Sequence, residues 1–92
     1  MNVAKPKQTA FATRLKAARN ARGLKQKKVA KDFNIHIATY VNYETGKTEP
    51  SLTMLRDIAV YYNVSADYLL GLKNAEEEEL FLQNLNIIYK PL

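Results

Sequence analysis

The residues of this 92-residue chain whose types and spacing suit chemistry are suited to recognition rather than to bond making. Its one histidine, His36, has no nucleophile or metal partner near it in the sequence, and the absence of cysteine excludes disulfides and thiolate metal sites. Glu76–Glu79 is a run of four carboxylates, but it suits a helix start in water better than a paired acid and base. Ser51 and Ser65 read as helix caps, and the chain has no glycine-rich phosphate loop. No enzyme activity, cofactor or metal is therefore expected. The segment that stands out is Gln26–Gly46, QKKVAKDFNIHIATYVNYETG. It reads as two short helices joined by a tight turn, the second free of charge at its start. An apolar side chain on such a helix can pack on a thymine methyl in the DNA major groove, and an asparagine amide can pair in two places with adenine.

The elements that would hold this segment follow from its periodicity. Val29 and Phe33 lie one helical turn apart and share a face, as do Tyr40 and Tyr43. Ala30 is small enough for two helices to cross there. Asn34 occupies the turn, where positive φ is often needed and asparagine tolerates it. This is a helix-turn-helix pattern. Around it, a first helix is expected from about Thr9, its N-cap, to Arg22, with a stripe of Phe11, Leu15 and Ala18 and a stop at Gly23. The second and third helices cover about Lys25–Phe33 and Ile37–Thr45, with Gly46 as the stop. Ser51 caps a fourth running through Leu52, Leu55, Ile58, Ala59 and Tyr62 to Asn63. Ser65 caps a fifth, Ala66–Leu70, closed by Gly71.

These elements make an all-α, five-helix domain over residues 9–72, preceded by a flexible basic arm at 1–8 and followed by a tail at 73–92. Asn74 with Glu77 resembles a capping box, so the tail is expected to be helical. Phe81, Leu85 and Ile88 repeat at helical spacing, and Leu80, Leu82, Ile87, Tyr89 and Leu92 add more apolar surface than one stripe needs. The tail is expected to pack back on the domain or to pair with another chain, with a twofold partner favoured.

Charge separates the two halves. Residues 1–47 hold eleven Lys or Arg against two acids, net +9; residues 48–92 hold three against seven, net −4. A basic front suits a polyanion, although lysine-rich helices also keep small proteins soluble, and charge alone leaves these two readings even. A hydrophobic content of 47% fits a folded domain. No apolar run is long enough to span a membrane, and Met1–Gln8 lacks the apolar core of a signal peptide. A cytoplasmic location is expected.

The specific combination is longer than the two helices. Phe11-x-x-Arg14-Leu15-Lys16-x-x-Arg19 leads to Gly23-Leu24-Lys25-Gln26, then Val29-Ala30 and Ile35, then Tyr43-Glu44-x-Gly46-x-x-x-Pro50-Ser51, Leu55, Ile58-Ala59, Val64-Ser65 and Asp67–Gly71. Over Phe11–Leu72 this resembles the lambdoid phage repressor and Cro family, the XRE-type regulators, and the resemblance implies the lambda-repressor-like fold. It also implies roles. Gln26 matches the family glutamine that contacts the DNA backbone and can reach the recognition helix. Arg19 and Glu44 match a buried ion pair linking helix 1 to the end of helix 3. Ile37 and Ala38 match the first base-reading positions, Thr39 stands beside them, and Asn42 lies one turn beyond Ala38 on the same face, which points to an A/T-leaning half-site. Lys25, Lys28, Lys47 and Thr45 fall near the phosphates, with the backbone N–H groups of Lys47 and Thr48 as further donors. His36 either touches phosphate or faces solvent. Tyr40 and Tyr43 match inward, core positions.

Departures from the family pattern are informative. Lys25 replaces the Ser or Thr that usually caps helix 2, losing a cap worth about 1 kcal/mol and placing positive charge at the positive end of the helix dipole. Asn34 replaces the usual turn glycine. The tail is far shorter than the self-cleaving or oligomerising domain of larger phage repressors, so no damage-triggered cleavage switch is expected within this chain. The leading expectation is a repressor that binds an inverted-repeat operator in double-stranded DNA as a homodimer. The alternative is a restriction–modification controller or an antitoxin whose residues 76–92 bind a protein partner. An adaptor using the fold without specific DNA is a third reading, against which the basic front half argues.

Overall fold

The computed structural model describes residues 9–89, and every regular element in that range is helical. The order is α1 (Ala10–Ala21), α2 (Gln26–Asp32), α3 (Ile37–Thr45), α4 (Leu52–Tyr62), α5 (Ala66–Leu70) and α6 (Ala75–Tyr89). The all-α class holds, and the tail contributes the sixth helix. The basic arm at 1–8 lies outside the described residues, as do Lys90, Pro91 and Leu92.

Local chemistry sets most of the boundaries. The hydroxyls of Thr9, Ser51 and Ser65 accept from the backbone N–H groups of Ala12, Met54 and Tyr68, opening α1, α4 and α5. Lys25 sits at the N-cap of α2 and His36 at that of α3, and neither side chain makes a capping bond. Asn34 turns the chain between α2 and α3 at φ 57°, and Asn63 ends α4 at φ 55°. Gly71, at φ 86°, serves a second purpose: a Cβ there would come within 2.8 Å of the Ala10 Cβ. Only glycine both adopts that conformation and admits α1 so closely. The tail's capping box forms in both directions, Glu77 N–H to Asn74 Oδ1 at 2.8 Å and Asn74 N–H to Glu77 Oε1 at 3.0 Å.

One core runs through the domain. Phe11, Leu15, Val29, Ala30, Tyr40, Tyr43, Ile58, Tyr62 and Leu69 are buried in it, with Phe33, Ile35, Met54 and Leu55 packed around them. Helix α3 is held by α1 and α2, while α5 packs on α1 and α4. Leu52 does not join this core. It is 85% exposed, while Met54, Leu55, Ile58 and Tyr62 carry the inward face of α4. The picture of Glu76–Glu79 as a solvated helix start also needs correction at one position. Glu78 is buried; its Oε2 accepts from the Ser65 N–H at 2.7 Å and its Oε1 from the Ser65 hydroxyl at 2.6 Å, with the Lys73 ammonium 3.6 Å away. That carboxylate fastens the first turns of α6 to the start of α5. Arg14 of α1 completes the junction, donating to the carbonyls of Tyr68 and Lys73 while its guanidinium lies 4.6 Å from the centre of the Tyr68 ring.

Candidate nucleic-acid interface

Helix α3 has two faces of opposite character. Tyr40, Tyr43 and Glu44 point inward and are buried. By helical geometry Ala38, Asn42 and Thr45 stand on the opposite side. Ala38 and Thr45 are exposed, and Ile37, on the flank, is 47% exposed; it is not a core residue. Thr39 and Asn42 are half-buried. The outward side of α3 thus carries the exposed apolar groups of Ile37 and Ala38 beside the half-buried amide of Asn42.

What fixes this face is the carboxylate behind it. Glu44 is 2% exposed. Its Oε2 accepts from Arg19 Nε at 2.7 Å, and its Oε1 from Arg19 Nη2 and from Gln26 Nε2, each at 3.1 Å. The ion pair is bidentate, which fixes direction as well as distance. Burial pushes the Glu44 carboxyl up, but the hydrogen bonds from Arg19, Tyr40 and Gln26 outweigh it and hold the group below its ordinary value. Arg19 also donates to the Leu24 carbonyl at 2.8 Å, tying the α1–α2 connection to the same point. Gln26 thus reaches α3, as the family resemblance implied. An amide nitrogen carries two hydrogens, so holding Glu44 leaves one by valence for another acceptor.

The cations ring this face unevenly. Lys25 and Lys47 are exposed at the start of α2 and just past α3. Lys28 is exposed too, but its ammonium lies 2.9 Å from Asp32 Oδ1, so part of its charge is spent inside the chain. Asp32 also accepts from the Tyr61 hydroxyl at 2.7 Å, and that bond, followed by the one from Lys28, holds its carboxyl below the usual range. His36 is exposed at the α3 N-terminus. The neutral donors are less available than the sequence suggested. The N–H groups of Lys47 and Thr48 both point to the Asn42 carbonyl, at 3.0 and 3.4 Å, and the Thr45 hydroxyl donates to the same oxygen at 3.3 Å. The left-handed turn at Gly46 folds these groups back onto the helix end, which a sequence pattern does not reveal.

Among the described residues no group of carboxylates and histidine is placed to hold a metal ion, and no helix is long and apolar enough to cross a membrane.

A pair of crossing helices with a fixed, outward-facing second member defines a helix-turn-helix protein, and comparison with known proteins agrees. The helix-turn-helix family matches residues 15–69, and the chain belongs to it, in the XRE-type branch of transcriptional regulators. It is similar to the HTH-type transcriptional regulator ImmR of Bacillus subtilis, 37% identical over 76 residues, covering 79% of this chain and 60% of that protein. It is also similar to the SPbeta prophage-derived HTH-type regulator YonR of the same organism, 38% identical over 60 residues, covering 65% and 56%. The chain spans about three-fifths of the length of these relatives. A transcriptional regulator from Listeria innocua shares the fold, with a TM-score of 0.62 at 24% identity over 91% of this chain and 99% of that one.

Proposed function

We propose that this chain is a sequence-specific transcription regulator of double-stranded DNA, a repressor of the phage type that binds an inverted-repeat operator as a homodimer. The observation that carries the reading is the outward face of α3. Ile37, Ala38 and Asn42 present apolar and amide groups there, Lys25 and Lys47 flank them, and Glu44 anchors the helix from behind. In this reading Ile37, Ala38, Thr39 and Asn42 meet base edges. Gln26, Lys25, Lys28, His36, Thr45 and Lys47 meet the phosphate backbone, Lys47 and Lys25 most strongly because they are exposed at either end of the motif. Phosphate beside Lys25 also relieves the charge conflict at the α2 N-terminus.

A homodimer is supported by a second apolar stripe. Leu52 and Val60 are exposed on the outer side of α4, two helical turns apart on either side of Arg56, and with Leu55 and Ala59 they line a shallow groove. Two such faces related by a twofold axis at Arg56 bring each Leu52 to the partner's Val60. The tail is the second candidate, since Leu80 is exposed on α6. Deleting residues 74–92 separates the two: an unchanged dimer constant in sedimentation leaves α4 as the interface, and a monomer assigns it to the tail.

Selection of bound sequences from a random duplex library, at near-physiological salt to suppress nonspecific charge binding, tests the whole reading. An enriched inverted repeat with half-sites about 34 Å apart is the expected result. Absence of any enriched sequence refutes it and moves the search to a protein partner, the role expected of an antitoxin or an adaptor.

A further inference from the structure

The outer face of α4 reads nearly the same from either end. Arg56 stands at its centre, with Leu52 four residues before it and Val60 four residues after, each about 6 Å away along the helix axis. Both apolar side chains are strongly exposed. Leu52 borders two shallow depressions, one lined by Phe11, Pro50 and Leu70, the other by Ala59, Val60 and Val64. The centre carries both signs of charge. Arg56 Nη2 donates to Asp57 Oδ1 at 3.3 Å, and the two side chains are 73% and 46% exposed. Consecutive residues on a helix point about 100° apart, so these two do not face each other squarely. The guanidinium has five N–H groups, and this bond takes one of them.

We propose that this face is the self-docking surface of the homodimer, that Arg56 of each protomer pairs with the partner's Asp57 across the twofold axis, and that these two residues select a second copy of this chain as the partner. The inference rests on the homodimer proposed above and commits it to α4. A twofold axis at Arg56 sets Leu52 as a ridge against the partner's groove at Ala59 and Val60. The same axis brings two guanidinium groups together, and Asp57 offsets that conflict. It stands one residue from the axis, so each carboxylate comes within reach of both guanidinium groups and the four charges sum to zero. The balance of signs favours a second copy over other occupants. A phosphate or an acidic lipid surface takes one sign only. A face with a cation and an anion at its centre, and apolar groups at equal distances on either side, is complementary to itself.

The test is charge exchange in the full chain, read by sedimentation without DNA. Both positions are exposed, so the variants should fold, and circular dichroism checks it. Arg56→Asp sets four carboxylates around the axis, and Asp57→Arg sets four guanidinium groups there. Each alone is expected to weaken the dimer about tenfold or more, as like charges opposed across an interface do. An equimolar mixture of the two variants should restore it, because one protomer then offers only anions at the centre and the other only cations. Lys16→Glu, an exposed reversal on α1, controls for net charge and should leave the dimer constant within about twofold. Unchanged dimer constants in both reversals, losses without recovery in the mixture, or an equal loss from Lys16→Glu would each overturn this face while leaving a homodimer through another surface intact. If a reversal fails to fold, Leu52→Ser takes its place: a weaker dimer supports the face and an unchanged one overturns it. A parent chain that stays monomeric at every accessible concentration overturns the homodimer, and this face with it. Operator selection is scored separately, so the DNA reading stands or falls on its own result.

Discussion

Glu44 and Glu78 are both buried carboxylates, yet they do different work. Glu44 sits where α1, α2 and α3 meet and is held by a bidentate guanidinium and an amide. Glu78 sits at the edge, holding the Ser65 N–H and hydroxyl, with an ammonium at the longer distance of 3.6 Å. The first organises the face proposed to read DNA. The second pins a peripheral helix to a finished domain. The difference teaches that burial alone does not rank a polar residue; the number of elements converging on it does. Removing a donor from Glu44 should disturb three helices, and removing Glu78 should release one.

The largest effect is therefore expected from Arg19→Ala. It leaves Glu44 as an uncompensated buried charge, a loss of about 3–5 kcal/mol by the usual cost of breaking a buried pair. Urea denaturation measures it; a loss under about 1 kcal/mol would show that the cluster rearranges freely. Next comes Asn42→Ala, which should relax base preference at one operator position by about 1–3 kcal/mol, whereas Lys47→Ala should weaken binding to all sequences alike and lower the salt dependence. Equal losses on operator and random duplex would remove Asn42 from base reading. Glu78→Ala should cost about 1–2 kcal/mol in α6 alone, seen as faster amide exchange there with the core unchanged. A global loss of protection would make α6 part of the cooperative domain.

The acid response sharpens the same contrast. Glu44 is held below its ordinary value of 4.5, so it binds fewer protons folded than unfolded near that pH. Its stabilisation is complete above 4.5 and is lost as the pH falls through the lower, folded value. Stability curves of the parent chain and Glu44→Gln should accordingly converge as the pH drops below the ordinary carboxylate range. Parallel curves across that window would mean that Glu44 does not titrate abnormally.

Several site residues were legible in advance because their evidence is local or periodic. Ile37 reads as outward since Tyr40 and Tyr43 already fill the inward face, and it is exposed. Arg19, Glu44 and Gln26 were legible only through the family resemblance; nothing in their spacing announces a triangle. The availability of the Lys47 and Thr48 N–H groups was misjudged, because whether a left-handed turn closes back on a carbonyl depends on the loop that follows. Leu52 belongs to the α4 series that runs through Leu55, Ile58, Ala59 and Tyr62, yet it is 85% exposed, and the series alone does not say which of its members a neighbour covers. The tail's apolar positions could not be apportioned between self-packing and a partner by pattern alone.

What the sequence determined by itself was where each helix begins and ends. Thr9, Ser51, Ser65, Asn34, Gly46, Asn63 and Gly71 act on backbone groups within a few residues, and such short-range bonds form in the same way whatever surrounds them. The tertiary structure alone decided which charges are buried and what they hold. Arg19 lies 25 positions from Glu44, Tyr40 lies 22 from Tyr62 and Ser65 lies 13 from Glu78. Those partners meet only after the helices pack, when desolvation turns a hydrogen bond from one option among many waters into the one available.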